Sequence, residues 1–418
     1  MITQSQYMVL KQPTRHIRVK IDIINEQNNN IVNSLQGISI GGEININSTS
    51  TYRRSGSISV LIDKKYNLIP SPSSNIWFNK RVGISVGIED YMDNTIWFNL
   101  GRFAILDCNL SFNPSELLMT LNLADLMAFL DGTLGGDLSH EIRMINKGLS
   151  VRQAVISVLQ GLVPYSIERI EVDGLEMNLP YDIEKPSGST AYEIVSELAN
   201  LYMGYQFYFD ANGYFKLTQI KDKRNDSYVW DFTDIDLSLS YNNQMNFTNV
   251  KNDIWVYGRT NEYGVQIMHN YCNRFARKTT SEMKSIPSKN INDICYVSNT
   301  DKSYVWTGSS WQVLPFNVVS MFNMENIGKK TKVINMSTIY NTEQAKLRSQ
   351  YTMENFSNFA EKISFATVTI YALDVNTKIK VVKDDIGING DYLIESVSIP
   401  LGIDGSMNVT ATKIYYNN

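Results

Sequence analysis

The chain is poor in the residues that most often carry chemistry. Of 418 residues, three are histidine (His16, His140, His269) and three are cysteine (Cys108, Cys272, Cys295). The cysteines are too few and too scattered for a disulfide framework and suit folding in a reducing cytoplasm. No histidine lies within metal-ligand spacing of another. His269 and Cys272 form a lone H-x-x-C, whereas a zinc site needs three or four convergent ligands. No metal and no cofactor is therefore expected. Charge is also scarce: Asp, Glu, Lys and Arg make up 19% of the chain, low for a freely soluble monomer. No apolar run approaches membrane-spanning length. The opening "MITQSQYMVLKQPTRHIRV" lacks the apolar core of a signal peptide. Synthesis in the cytoplasm without membrane insertion is expected.

Asn, Ser, Thr and Tyr take the place of charge, and apolar residues still reach 43%, enough for substantial cores. A polar, weakly charged, Tyr-rich surface suits a protein that spends its life packed against other chains. The net charge of −4 is unevenly spread. Residues 1–120 hold 11 basic against 9 acidic side chains, residues 121–220 hold 6 against 13, and residues 221–418 hold 21 against 20. The middle is thus a separate acidic module. No basic patch is dense enough to make nucleic-acid binding the main business.

Residues 17–120 read as short strands: "IRVKIDII", "RVGISVGI", "TIWFNLGRFAILDCNLSF" and "LLMTLNL" alternate, with Gly and Ser punctuation between. That spacing suggests a barrel or sandwich. Residues 122–220 change character. "NLADLMAFL" reads as helical. "SVRQAVISVLQGL" starts with Ser150 and Gln153 in capping-box spacing, and its stripe is Val151, Ala154, Val155, Val158, Leu159 and Leu162. "TAYEIVSELANLYMGY" repeats the device with Thr190 and Glu193; its stripe is Ile194, Val195, Leu198, Leu201 and Tyr202. Directly after it, "YQFYFDANGYFKL" is a hairpin with Phe207, Phe209, Phe215 and Leu217 on one face. The turn is Asp210-Ala211-Asn212-Gly213, with Asn212 and Gly213 expected at positive φ. A lone hairpin is marginal in water, so its apolar face is expected to pack on the preceding helix.

Strand patterns resume from Tyr228. A small β insertion is expected at about 280–330, where "YVWTGSSWQVL" turns at Gly308-Ser309-Ser310. A helix over about 342–362 follows, capped by Asn341 with Gln344 three on, and with a stripe of Phe356, Phe359, Ala360 and Ile363. The chain ends in strands. One internal echo stands out. In "GRFAILDCNLSF" and "GDYLIESVSIPL", Gly101 parallels Gly390, Phe103 Tyr392, Ile105 Ile394, Cys108 Val397, and Leu110 Ile399. Either a β-barrel is duplicated, or this is the match that any two alternating strands give.

Catalytic motifs are sparse. Gly-Ile-Ser-Ile-Gly at 37–41 and Gly-Ile-Ser-Val-Gly at 83–87 fit the nucleophile pattern, but both sit in continuing β pattern with no helix following. The Asp210 turn lacks the closing Glu of a calcium loop. Gly132, Gly135 and Gly136 lack the Lys-Ser/Thr of a phosphate loop. The acidic run "SIERIEVDGLEMNLPYDIEK" reads as a solvated surface, although a glycosidase needs only two well-placed carboxylates. Trp306 and Trp311 are the aromatic pair best placed to bind a sugar or base by stacking.

The order of parts resembles the hub proteins of phage tails and baseplates and of related contractile injection machines. The stretch Leu179 to Ile220 resembles that family's helix-plus-hairpin module. "IWFNKRVGISVGI" with "IWFNLGRFAILDCNLSF" resembles its first tube-forming barrel, and "GDYLIESVSIPLGIDGSMNVTATKI" its closing strands. "YVWTGSSWQVL" resembles a small hairpin of many phage tail proteins. The resemblance implies an α+β, mostly β chain in three parts. These are an N-terminal β-barrel (1–121), an acidic α+β module (122–224), and a second β-barrel with the insertion and helix (225–418). It implies a non-enzymatic homotrimer in the virion. Its ring would join a six-fold tail tube or distal tail protein to a three-fold spike or tip, among other baseplate proteins. An axial channel would pass DNA as cargo during genome ejection. Two other readings stand beside it: a tail-associated enzyme degrading cell wall or capsule, and a carbohydrate- or receptor-binding tail protein.

Overall fold

A computed structural model describes residues 2–415 except 114–115, 139–142, 161–168, 175–176, 222, 233–237, 261–262, 357–359 and 403–404. His140, Leu162 and Phe359 fall outside the described residues. So do the side chains of Phe356 and Ala360. The chain divides into two compact units. The first comprises residues 1–199, 205–242 and 363–414; the second comprises 200–204, 243–362 and 415–418.

The chain opens with a short helix that the sequence pattern did not flag, α1 (Gln4–Leu10), closed by a Thr3–Gln6 capping box. Seven strands follow: β1 (Ile17–Asn25), β2 (Ile31–Gln36), β3 (Ser39–Asn47), β4 (Arg54–Leu61), β5 (Lys80–Glu89), β6 (Thr95–Asn113) and β7 (Glu116–Ala124). They pair in the order β3-β4-β7-β6-β5-β1-β2. Their alternation puts Ile21, Ile23, Ile44, Ile58, Val82, Ile84 and Phe103 into one core. The expected helix after β7 is only a 3-10 turn, Leu126–Phe129. Asp125 caps it through Met127 N, while its other oxygen accepts from Arg54 N. A carboxylate committed to both the turn and β4 holds the segment to the sheet, and the turn ends after four residues.

The acidic module contains β8 (Arg143–Ile145), α2 (Val151–Gln160), β9 (Ile170–Val172), β10 (Ile183–Lys185), α3 (Ala191–Asn200), β11 (Tyr205–Phe209) and β12 (Phe215–Gln219). Both expected caps form: Gln153 N donates to Ser150 Oγ at 3.2 Å and Glu193 N to Thr190 Oγ1 at 3.3 Å. The two helices bury Val151, Ala154, Val155, Val158 and Leu159, and Ile194, Val195 and Leu198. The hairpin pairs Phe207 with Leu217 and Phe209 with Phe215. Phe209, Phe215 and Leu217 are buried, and Phe207 lies 5.2 Å from Tyr192 of α3, ring to ring. Two details differ from expectation. Of the turn residues only Gly213 has positive φ, +76°; Asp210 Oδ1 instead gathers the Asn212 and Tyr214 amides, both at 2.9 Å. The hairpin is also part of a three-stranded sheet, since β9 pairs parallel to β12.

Strands β13 (Trp230–Phe232) and β14 (Ser238–Asn246) come next. The second unit then forms a six-stranded sheet. It contains β15 (Asp253–Thr260), β16 (Gln266–Arg277), β17 (Asp293–Val297), β18 (Lys302–Trp306), β19 (Trp311–Val313) and β20 (Thr331–Asn335), in the order β19-β18-β17-β16-β15-β20. Two short helices, α4 (Thr280–Lys284) and α5 (Met324–Ile327), flank it. The long helix α6 (Thr342–Phe356) packs against β15 and β16. Its cap is as expected, Gln344 N donating to Asn341 Oδ1 at 2.8 Å. Its buried face is not. Ala345, Ser349, Thr352 and Met353 are buried, a stripe of small and hydroxyl residues that an apolar count passes over. Ile363, assigned to the helix from its spacing, lies instead in the next strand.

The chain returns to the first unit with β21 (Ala360–Thr367), β22 (Lys378–Lys383), β23 (Ile388–Pro400) and β24 (Met407–Lys413). The echo seen in the sequence reappears in the hydrogen-bond ladders. Ile84 faces Gly101 and Val82 faces Phe103; Val381 faces Gly390 and Ile379 faces Tyr392. Each long strand carries a bulge at the matching place, after Ile105 in β6 and after Ile394 in β23, and β6 carries a further one at Leu100, against β5. Gly101 and Gly390 adopt nearly the same φ, +152° and +156°. Arg81 and Lys378 end their ladders as matched buried cations. Arg81 lies 3.1 Å from Glu26 and Lys378 lies 3.0 Å from Asp391. One difference is that β1 runs antiparallel to β5, whereas β13 runs parallel to β22.

The strand runs match too: β3-β4-β7-β6 in the first half, β14-β21-β24-β23 in the second. The halves are joined, because β3 also pairs antiparallel with β23, Ile46 opposite Val397 and Ile44 opposite Ile399. The result is one sheet of 13 strands over one shared core. The fold is α+β and mostly β.

Candidate functional site

The sequence-level chemical candidates do not converge. Among the described residues, no three His, Cys, Asp or Glu side chains could together hold a metal ion. His269 bonds through Nδ1 to Ser349 Oγ at 2.7 Å and lies edge-on to Tyr271. Burial, with Lys346 nearby, lowers its pKa to about 4. Cys272 and Cys295 are buried thiols pushed up to about 12, chiefly by desolvation, so neither supplies a thiolate near neutral pH. His16 is exposed. Ser39 and Ser85 sit within the β3 and β5 ladders, opposite Val60 and Lys20, without the strand-to-helix turn a nucleophile needs. The Gly132–Gly136 segment closes on itself, Gly132 N donating to Gly135 O. Trp306 and Trp311 face each other across β18 and β19, centroids 5.5 Å apart, with Lys289 over Trp306. In the acidic run, Glu171 pairs with Lys216 and Asp182 accepts from Lys147 N.

The structure instead concentrates polar groups where the sheet meets the hairpin, around a cavity of about 320 Å³. Arg53 and Arg54, adjacent at the start of β4, organise it. In the sheet β4 neighbours β3 and β7, and Arg54 belongs to the core side at 3% exposure. Its guanidinium pairs with Asp374 and lies 3.4 Å from the Phe209 carbonyl. Its backbone amide donates to Asp125, as noted. Arg53 donates to Gln206 Oε1 at 2.7 Å, Asn376 donates to the same oxygen at 3.1 Å, and the Arg53 guanidinium lies 3.5 Å from the centre of the Tyr208 ring. Burial pushes the Asp125 carboxyl up to about 6, against the backbone donors that favour its charged form.

Two adjacent arginines therefore tie together the first β half, the hairpin and the loop before β22. Charge-assisted hydrogen bonds of this kind are geometrically demanding, so the cluster fixes how the segments meet. Among the described residues it holds no nucleophile beside a base, and most of its groups bond one another, Arg54 Nε being buried without a hydrogen-bond partner. Sequence reading missed it because its members are single polar residues from four distant segments. The only local sign was the Arg53-Arg54 pair.

No family model matches the sequence, and a search of curated proteins finds no match either. Solved structures do match. A tail protein from Neisseria meningitidis MC58 is 10% identical, covering 95% of this chain and 96% of its own, at a TM-score of 0.56. The 43 kDa tail protein of prophage MuSo2 from Shewanella oneidensis is 12% identical, covering 94% and 98%, at 0.53. A chain of the Francisella PdpA–VgrG complex is 9% identical at 0.50, and this protein spans 98% of itself but 60% of that chain. The chain has the fold of phage tail proteins, as the sequence resemblance implied.

Proposed function

We propose that this protein is a non-enzymatic structural component of a phage tail, acting as a baseplate hub. Three copies form a ring that meets a six-fold tail tube or distal tail protein on one face. A three-fold spike or tip lies on the other, and an axial channel between them passes DNA. The chain is made in the host cytoplasm and ends in the virion. The observation that carries this reading is the internal repeat: two β halves with matching β5–β6 and β22–β23 ladders, a bulge at the matching place and a buried cation, Arg81 or Lys378, at the matching position. Three copies of a two-fold repeat present six similar units, which is what a six-fold partner requires. The likeness to two tail proteins over nearly their whole length supports the same reading. On this proposal the chain is organised as 1–121, 122–224 and 225–418, with the six-stranded unit carried inside the last part.

Electron microscopy of the purified protein, with mass photometry on the same sample, tests it. The expected result is a ring with the mass of three chains and an open channel. A stable monomer with one deep cleft at every concentration would overturn the hub reading.

A further inference from the structure

The cavity beside Arg53 and Arg54 holds more donors than acceptors. Both arginines are buried, at 6% and 3% exposure, and each guanidinium carries five N–H groups. Arg53 donates to Gln206 Oε1 and lays its guanidinium on the Tyr208 ring. Its side chain has no other hydrogen bond and no ion pair among the described residues. Arg54 pairs with Asp374, reaches the Phe209 carbonyl only at 3.4 Å, and keeps a buried Nε–H without an acceptor. Gln206 Oε1 accepts from both Arg53 and Asn376. Its amide nitrogen, a double donor, has no acceptor among the described residues.

The charges are uneven in the same direction. The cavity is lined by four cations, Arg53, Arg54, Lys221 and Lys223, against three carboxylates. Of the carboxylates, Asp374 is taken by Arg54. Asp210 binds the amides of its own turn and lies 3.8 Å from Lys216. Asp173 is exposed. The buried carboxylate behind the cluster, Asp125, accepts the backbone amides of Arg54 and Met127 rather than a guanidinium. Lys223 pairs with Asp226 at 2.7 Å, but the exposed Lys221 has no partner among the described residues. Burial pushes the Arg53 pKa down, as it does for any cation held out of water. A buried charge without a partner is costly, and an opposite charge beside it offsets that cost.

We propose that this cavity binds a small oxyanion, a phosphate or a carboxylate, through the free N–H groups of Arg53 and the Gln206 amide, with Lys221 as the second cation. A guanidinium fork matches two oxygens of either group. The volume, about 320 Å³, is at the low end for small-molecule sites. It suits a single small anion rather than a polymer. A bound anion touches the start of β4 through Arg53 and the hairpin through Gln206. It thereby strengthens the joint that the arginines already make. Nothing in this site depends on the number of copies in an assembly.

Titration calorimetry of the full-length protein tests it, with inorganic phosphate and separately with citrate, in chloride that holds ionic strength constant. Saturable binding of at least one probe, one per chain, is expected, with a melting temperature that rises as the probe is added. Lys221→Gln should weaken binding about tenfold, the size of one charge-assisted contact. Arg53→Lys keeps the charge and loses the fork, and should weaken binding at least as much. Where Arg53→Lys fails to fold, Lys221→Gln decides alone. Tighter binding of phosphate than of citrate assigns the site to phosphate, and the reverse assigns it to carboxylates. No saturable binding of either probe overturns the site, and so does binding that either folded variant leaves unchanged. A trimeric ring that binds neither probe keeps the hub and loses the anion site. A monomer with one deep cleft that binds phosphate in the expected way keeps the site and loses the hub.

Discussion

The two halves of the large sheet were built to one plan and finished differently. Ile399 and Leu110 stand at equivalent rungs of equivalent strands, after equivalent bulges. One is fully buried and the other half exposed, because β3 lies along β23, whereas among the described residues the outer part of β6 is paired on one edge only, with β7. An aliphatic residue in a strand therefore does not announce whether it serves folding or assembly. The neighbouring strand decides. Within one chain, Ile399 contributes to stability, while the same chemistry at Leu110 is available to a partner.

The sharpest way to break this comparison is to truncate both residues. Ile399→Ala should destabilise the isolated chain by about 2–5 kcal/mol, the usual loss for a buried large aliphatic. Leu110→Ala should cost less than about 1 kcal/mol in the same chain. Urea melts of the two variants at a concentration where the wild type is monomeric would measure both. Equal losses would mean that β6 is already covered.

A smaller effect separates the two glycines. Gly101 and Gly390 share a backbone conformation that disfavours side chains, yet their surroundings differ. A Cβ on Gly101 would stand 2.8 Å from Phe103 Cζ and 3.0 Å from Arg54 Cδ; on Gly390 it would meet only the end of Lys413 at 3.2 Å. Gly101→Ala should cost about 1–3 kcal/mol from strain plus displacement of the buried arginine. Gly390→Ala should cost less, because a flexible lysine can step aside. Thermal denaturation of the pair ranks them, and a reversed order would contradict the packing around Arg54.

The smallest effect concerns Asp125, which has no titrating counterpart assigned in the second half. Its native pKa is raised to about 6 from an ordinary 3.8. Between these values the folded chain holds a proton that the unfolded chain has released. Its contribution is therefore fully present below about pH 4 and is lost as pH rises to about 6, then stays constant. The loss across that window is about 2–3 kcal/mol at most. Asp125→Asn should flatten this part of the pH–stability curve. An unchanged curve in the variant would assign the slope to other carboxylates.

The repeat was legible before the structure because glycine at 101 and 390, aromatic residues at 103 and 392, and the alternation beyond them are local. The helix starts at Ser150, Thr190 and Asn341 were legible for the same reason, since a cap needs only residues three apart. Helix α6 was misread on its buried face, where Ser349 and Thr352 fill positions that apolar counting leaves blank. The 3-10 turn after β7 was misread because Asp125 answers to Arg54, 71 residues away. The arginine cluster was not legible at all, since it joins β4, β11 and the loop containing Asp374.

By itself, then, the sequence determined a β-rich chain with an acidic α+β module, a repeated strand motif and little apparatus for catalysis. These follow from composition, period-two alternation and short-range caps, which depend on residues close together. Only the tertiary structure decided that the two halves share one sheet through β3 and β23, that Arg53 and Arg54 tie that sheet to the hairpin, and that Leu110 and Phe112 are left exposed. Strand neighbours are chosen by which edges meet after the chain has folded back over hundreds of residues, and no local pattern encodes that choice.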